Sequence, residues 1–304
     1  MNPLVEVWLI VARELRKSFR SVKGIVMLSL SVLGAIAFEM LREPGVEEAL
    51  KKAQGMGADA FHEAKIEVLA RMYRDGKVGE RLADAPLRLV FFFFVAIWLT
   101  PMLVTVVGFD GISSDLQYRS VRYWTLRTRR GSYYVGKFLG LWAAVGAMTL
   151  LMHAIVWAVM IGRADAPASE TLSWGIRFWL ISLPVTGGWC AVATLIGSFF
   201  KTPMVGLLVT CGVFFLMFMV GFVLPNYFAG IAAVAASQGG ATAREVTEKA
   251  GDPLIGMRFA YPNSLDSWLL SPELPHVFEG LGVFLAYAVV TCLGGSLVFA
   301  RRDV

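Results

Sequence analysis

Six runs of about twenty apolar residues, separated by charged stretches, organise this chain. They fall at about 24–41, 87–109, 138–161, 176–200, 204–224 and 277–300. Each is close to the length that a hydrocarbon core of about 30 Å demands of a spanning helix. Residues 4–23 carry a different rhythm. Leu4, Trp8, Val11, Leu15 and Phe19 recur at helical spacing, with Arg13, Arg16, Lys17, Arg20 and Lys23 between them. A helix of that pattern lies in the membrane interface, its apolar face among acyl chains and its cations among headgroups. The expectation is an all-α polytopic membrane protein: an interfacial helix over residues 1–23, then a six-helix domain over 24–304.

Polar segments separate the runs. Residues 42–88 hold nine basic and nine acidic side chains, and Glu47–Leu50 and Phe61–Tyr73 read as helices broken at Gly55, Gly57 and Gly76. Residues 225–276 form a second large hydrophilic segment with helical stretches and several prolines. Pro101 predicts a kink in the second span, and Pro184 with Gly187-Gly188 an irregularity in the fourth. Ala35-Ile36-Ala37 resembles a signal-peptidase site. The basic amphipathic stretch ahead of it is too long for a signal leader, so the run is read as a retained span.

Composition agrees with the pattern. The chain is 57% hydrophobic and 17% charged over 304 residues. A soluble domain has about 45–50% apolar and about 25% charged residues. Cys190, Cys211 and Cys292 all lie inside apolar runs, which fits small core residues better than disulfides or thiolate metal sites. The net charge is +5, but no basic patch with interleaved aromatics marks a soluble face, so nucleic acid is not expected as a partner.

Six spans place both termini on one side together with the basic loop 110–137 and Lys201. Fourteen Lys and Arg lie on that side and fourteen on the other. Positive charge orients a membrane protein mainly through short loops and span ends, so Lys65 and Arg71, deep in a long segment, count for little. That weighting puts both termini in the cytoplasm and the segments 42–86 and 225–276 outside.

Catalytic chemistry has little to work with. Gly131 to Lys137 approaches a phosphate-binding loop, but Phe138 stands where Mg²⁺ needs a Ser or Thr hydroxyl. Gly136 and Gly140, four apart at the start of a span, instead suit close helix packing. His62-Glu63 begins a zinc-protease motif that Ile66 ends. Inside the spans, Glu39, Arg177 and Glu279 sit near ends and His153 alone lies deep, where a satisfied buried histidine is the plain reading and a proton relay the alternative. No catalytic, cofactor or metal residues are assigned, and the driving energy is expected to enter from outside the membrane domain.

The loop 110–137 is the most informative polar segment. Ser114 and Gln117 fit a capping box that starts a short helix at Asp115. On that helix Leu116, Ser120, Tyr123 and Trp124 share a face flanked by Arg119, Arg122 and Arg127. A short helix with an exposed aromatic suits docking into a groove on a partner. A solvated basic loop against anionic lipid is the other reading.

At this point the chain resembles, over its whole length, the type-2 ATP-binding cassette (ABC-2) permeases. That family has an interfacial elbow helix, six spans, and a loop reading Glu-x-x-x-Gly-Thr, then Pro-x-x-Arg, then Gly-Lys. Here Asp115 stands for the Glu, Arg119-Ser120 for Gly-Thr and Thr128 for Pro, while Gly136-Lys137 match. The ending Phe299-Ala300-Arg301-Arg302-Asp303 is similar to the family's terminus.

The resemblance implies two copies of a separate nucleotide-binding ATPase subunit, which hold the ATP and Mg²⁺, and two permeases, either copies or sisters. It also implies an elbow bearing Trp8, Arg13, Arg16, Lys17 and Arg20 in contact with membrane lipid, and residues 115–126 as a coupling helix. The coupling set is Asp115, Leu116, Arg119, Ser120, Arg122, Tyr123, Trp124 and Arg127. The implied activity is export across the cytoplasmic membrane. The alternative is an anchoring or regulatory subunit that passes ATPase-driven motion to an extracytoplasmic protein.

Overall fold

Pro3 at the first helical position and Asn2, whose side chain accepts from the Leu4 amide at 3.0 Å, open helix α1 (Pro3–Arg20). The computed structural model describes residues 2–40, 58–73, 75–224, 227 and 261–301. The predicted helix at Glu47–Leu50, the breaks at Gly55 and Gly57, and residues 228–260 of the second polar segment lie outside that range.

At Ser21 the backbone turns extended and α2 (Val22–Met40) leaves at 70° to α1. The corner needs glycine: a Cβ on Gly24 would fall 1.4 Å from the Ser18 carbonyl oxygen. The further helices are α3 (Ala58–Tyr73), α4 (Gly76–Ala83), α5 (Leu87–Gly108), α6 (Ser113–Gln117), α7 (Val121–Thr125), α8 (Arg130–Gly162), α9 (Ala168–Phe199), α10 (Pro203–Phe218), α11 (Leu265–Leu270) and α12 (Leu274–Ala300). The described residues are about 87% helical and include no strand. Five helices are long and apolar enough to cross a membrane, and the bent pair α1–α2 makes a sixth. The protein is an all-α polytopic membrane protein.

The third span starts eight residues earlier than 138, at Arg130, so the end of the basic loop is already helical. The fourth likewise starts at Ala168 rather than at 176. Helical hydrogen bonding therefore continues past the apolar limit of each run.

Helix α9 is the centre of the bundle, with 72% of its apolar window buried, against 22% for α10 and 11% for α12. The expected irregularity in α9 is absent: the helix runs through Pro184, Gly187 and Gly188. Its glycines make room instead. A Cβ on Gly187 would lie 2.4 Å from the Phe284 ring, and one on Gly188 3.1 Å from Pro262.

Pro101 also sits inside a continuous α5, and a proline leaves the carbonyl four residues back without its helical donor. That carbonyl belongs to Ile97, and buried Asn263 donates to it at 3.1 Å. Asn263 accepts in turn from Trp189 Nε1 at 2.7 Å, which ties α5 to α9 through a segment folded into the bundle. Next to it Tyr261 packs on Gly221 in a π-helical turn, Met219–Val223, at the end of α10. Arg81 of α4 donates to the Leu270 and Ser271 carbonyls at the end of α11, so α3–α4 is fastened over the same end.

Candidate functional site

The loop after α5 is built backward from its spans. Ser113 Oγ donates to the Phe109 carbonyl at 2.9 Å and Ser114 Oγ to that of Asp110. The expected capping box is therefore not formed: α6 begins at Ser113 with no side-chain cap, and the Ser114 hydroxyl is taken by the preceding turn. Nor is there one helix over 115–126. Arg119 adopts a left-handed backbone (φ 57°) that separates α6 from α7. Leu116 thus lies on α6, Tyr123 and Trp124 on α7, and Ser120 in the turn between them, rather than all on one face.

Asp115 points inward. Its carboxylate accepts from Tyr133 Oη at 2.6 Å and Ser120 Oγ at 2.8 Å, and pairs with Lys137 Nζ at 2.5 Å. Lys137 is 3% exposed; it also pairs with Glu14 of α1 at 2.8 Å and donates to the Gly111 carbonyl at 2.8 Å. One ammonium thus joins α1, α6, α8 and the end of α5. The Tyr133 and Ser120 hydroxyls meet the remaining valences of Asp115 and the Gly111 carbonyl one of Lys137, whereas buried Glu14 Oε1 has the ammonium as its counter-charge and no hydrogen bond of its own.

Helix α1 approaches α8 closely enough for this contact because of Gly136 and Gly140. A Cβ on Gly136 would fall 2.7 Å from the Ile10 Cβ, and one on Gly140 2.6 Å from the Glu14 Cβ. A small apolar cluster of Ile10, Ile112, Val121, Tyr133, Tyr134 and Phe299 fills the junction, and Tyr133 stacks on Phe299 at 5.4 Å.

Other links run from the N-terminal helix to the loop. Glu6 accepts from the Arg129 amide at 3.0 Å, placing a carboxylate at the start of α8. That hydrogen bond, with one from the Ser132 hydroxyl, holds the Glu6 carboxyl below its usual range. The Arg13 guanidinium lies 4.3 Å from the Trp124 ring centroid. Lys23 pairs with Asp110. Arg13 and Lys23 therefore face protein, whereas Arg16, Lys17 and Arg20 are exposed and Trp8, with Leu4, is bare on the opposite flank.

Trp124 is half-buried beneath Arg13, not free. The residues that stand out from the loop are Tyr118 (77% exposed), Tyr123 (73%) and Leu126 (85%), with Arg119, Arg122 and Arg127 exposed around them. Sequence reasoning missed Tyr118 and Leu126, and it missed Glu14 and Tyr133 as inward partners. A carboxylate on the apolar side of an otherwise basic helix was the available signal for Glu14. Among the described residues no group of three or more His, Cys, Asp or Glu is placed to hold a metal ion.

The profile of a family described as ABC-2 family transporter protein matches residues 8–304. The chain belongs to that family. It is thus a permease subunit of an ABC transporter, of a kind that is generally a non-catalytic membrane subunit. A search of curated proteins finds no match. Within this ABC-2 permease the pattern positions acquire physical roles. The acid (Asp115) and the lysine (Lys137) meet as a buried ion pair, Gly136 admits α1, and Arg119 holds a left-handed backbone where the family pattern has glycine.

Proposed function

We propose that this ABC-2 permease works with a separate ATPase subunit and a second permease chain, a copy or a sister, to export a substrate across the cytoplasmic membrane. The observation that carries the reading is the exposed surface of Tyr118, Tyr123 and Leu126, ringed by Arg119, Arg122 and Arg127 and mounted on a buried ionic brace. Apolar anchors with a cationic rim suit a groove on a soluble partner, and the arginines add electrostatic steering. ATP and Mg²⁺ belong to that partner, and no residue of this chain is assigned to them. The loop, both termini and the exposed bases of α1 lie on the cytoplasmic side in this reading, supported by the density of cations at short connections.

The mechanism follows from the brace. Movement of the ATPase subunits displaces α6 and α7, which are not free to swing alone. Asp115 transmits the displacement to Lys137 on α8, and Lys137 to Glu14 on α1. The N-terminal helix and the third span then shift as a unit, and the spans alternate in access. Asp115 and Ser120 act as struts here, whereas Arg119, Arg122, Tyr123 and Arg127 touch the partner.

The test is retention of the ATPase subunit when the tagged permease is purified from its native membrane. The double substitution Tyr123→Ala with Leu126→Ala alters only exposed side chains and is expected to weaken association about tenfold or more. Undiminished retention would sink the docking assignment.

A further inference from the structure

Helices α2, α5 and α8 border a groove of about 370 Å³ whose rim carries Leu30, Leu99 and Met102, all exposed on the flank of the bundle. No Asp, Glu, Lys or Arg lines it. Of the hydroxyls that line it, Thr100 and Thr149 already donate to their own helices, to the Ala96 and Gly146 carbonyls at 2.9 Å each, and Ser31 supplies a third on α2. What the two threonines retain is accepting capacity.

His153 lines the same groove and is 2% exposed. Its Nδ1 lies 2.8 Å from the Thr149 carbonyl oxygen. A carbonyl only accepts, so Nδ1 carries the proton and the neutral ring presents Nε2 as a bare acceptor. Nε2 is buried and has no partner. Buried polar atoms are nearly always paired, and one left unpaired on a residue that lines an uncharged groove marks a place for a donor. The Phe92 ring stands edge-on to the imidazole at 5.0 Å, and Phe38 stands edge-on to Phe92 at 5.2 Å.

We infer that the groove is a binding site for a lipid alcohol, a long apolar molecule with one hydroxyl, whose O–H donates to His153 Nε2. A phosphate or carboxylate would enter without a cation to meet it, and a plain hydrocarbon would leave Nε2 unpaired. The site assigns a chemical class to the cargo, and for that it rests on the export reading above.

The test uses the full chain, with its co-purifying subunits, in phosphatidylcholine nanodiscs. Diazirine-bearing hexadecanol is compared with the matched hexadecane and palmitate probes, and labelled peptides are mapped. The alcohol is expected to label α2, α5 and α8 about fivefold above the hydrocarbon, the ratio that one net hydrogen bond sustains. His153→Phe keeps a ring and removes the acceptor, so it should abolish that preference. Leu99→Trp, on the exposed rim, should lower alcohol labelling while the protein stays folded, and it decides the matter if the histidine variant does not fold. Equal labelling by alcohol and hydrocarbon overturns the site, as does protection of the groove by a Leu99→Cys cross-link between two copies of the chain. Retained ATPase with no alcohol preference removes this inference alone. Alcohol preference without any ATPase partner removes the export reading alone.

Discussion

The central contacts at the two ends of this bundle differ in chemistry. At the end where α1 meets the loop, charge holds the junction: Lys137 binds Asp115 and Glu14, Lys23 binds Asp110, and Glu6 meets the start of α8. At the other end charged groups lie toward the edge, with Arg81 on the Leu270 and Ser271 carbonyls and ion pairs of Lys77 with Glu273 and Arg88 with Asp165. The central contacts there are neutral: Asn263 bridges Ile97 and Trp189, and Tyr261 and Pro262 press onto glycines. Both junctions seat short helical segments against spans. An amide with directed hydrogen bonds to two helices allows one geometry, so the far end is a fixed hinge point. Ion pairs vary slowly with distance and tolerate sliding. The charged end therefore suits transmission of force, while the neutral end suits resistance to it.

Breaking the charged centre should have the largest effect. Lys137→Met leaves Asp115 and Glu14 buried without their cation and is expected to lose about 3–5 kcal/mol of stability, read as a fall in melting temperature in detergent. Adding Asp115→Asn, which removes one of the two uncompensated charges and whose amide oxygen still accepts from Tyr133 while its N–H donates to the Ser120 hydroxyl, should recover part of the loss. A melting temperature unchanged by Lys137→Met would mean that the brace bears no load.

The neutral end should respond less. Asn263→Leu strips two neutral groups, the Ile97 carbonyl and Trp189 Nε1, of their partners, at a cost of about 1 kcal/mol each, the low end for unsatisfied uncharged groups. It should also raise hydrogen exchange near Pro101. If Asn263→Leu costs more than Lys137→Met, the assignment of the two ends is reversed.

Arg119→Gly sharpens the comparison in the other direction. It relieves a left-handed residue and is expected to stabilise the loop by about 1 kcal/mol, visible as slower proteolysis between α6 and α7. Faster proteolysis would show that the arginine side chain contributes more than its backbone strain costs.

The smallest effect is one of pH. The folded Glu6 carboxyl titrates below its usual value of 4.5, so its contribution is complete above that value and fades as pH falls through the lower, folded one. Acid titration of the melting temperature should show this step in the native protein and lose it in Glu6→Gln. The two proteins giving the same profile would remove Glu6 from the α1–α8 contact.

The loop motif was legible in part. Asp115, Gly136 and Lys137 were visible as pattern positions, and the arginines and Tyr123 as a cationic, aromatic face. The exchange of Trp124 for Tyr118 and Leu126 as exposed groups was not visible, because exposure on a short helix depends on the neighbour that covers it. Here that neighbour is Arg13, from a helix more than a hundred residues earlier in the chain. The misread Gly187-Gly188 pair has a similar cause: glycine in a strip of sequence signals weakness, and only its contacts with Phe284 and Pro262 reveal close packing.

The sequence by itself determined the all-α class, the six apolar runs and the amphipathic N-terminal helix, since solubility in a bilayer is a property summed residue by residue along a short window. Tertiary structure decided which charges are struts and which are surface. It also decided where helices continue past the apolar limit, and that the carbonyl freed by Pro101 is met by an amide 166 positions from Ile97. Those outcomes depend on the approach of distant segments, and no local window of residues contains that distance.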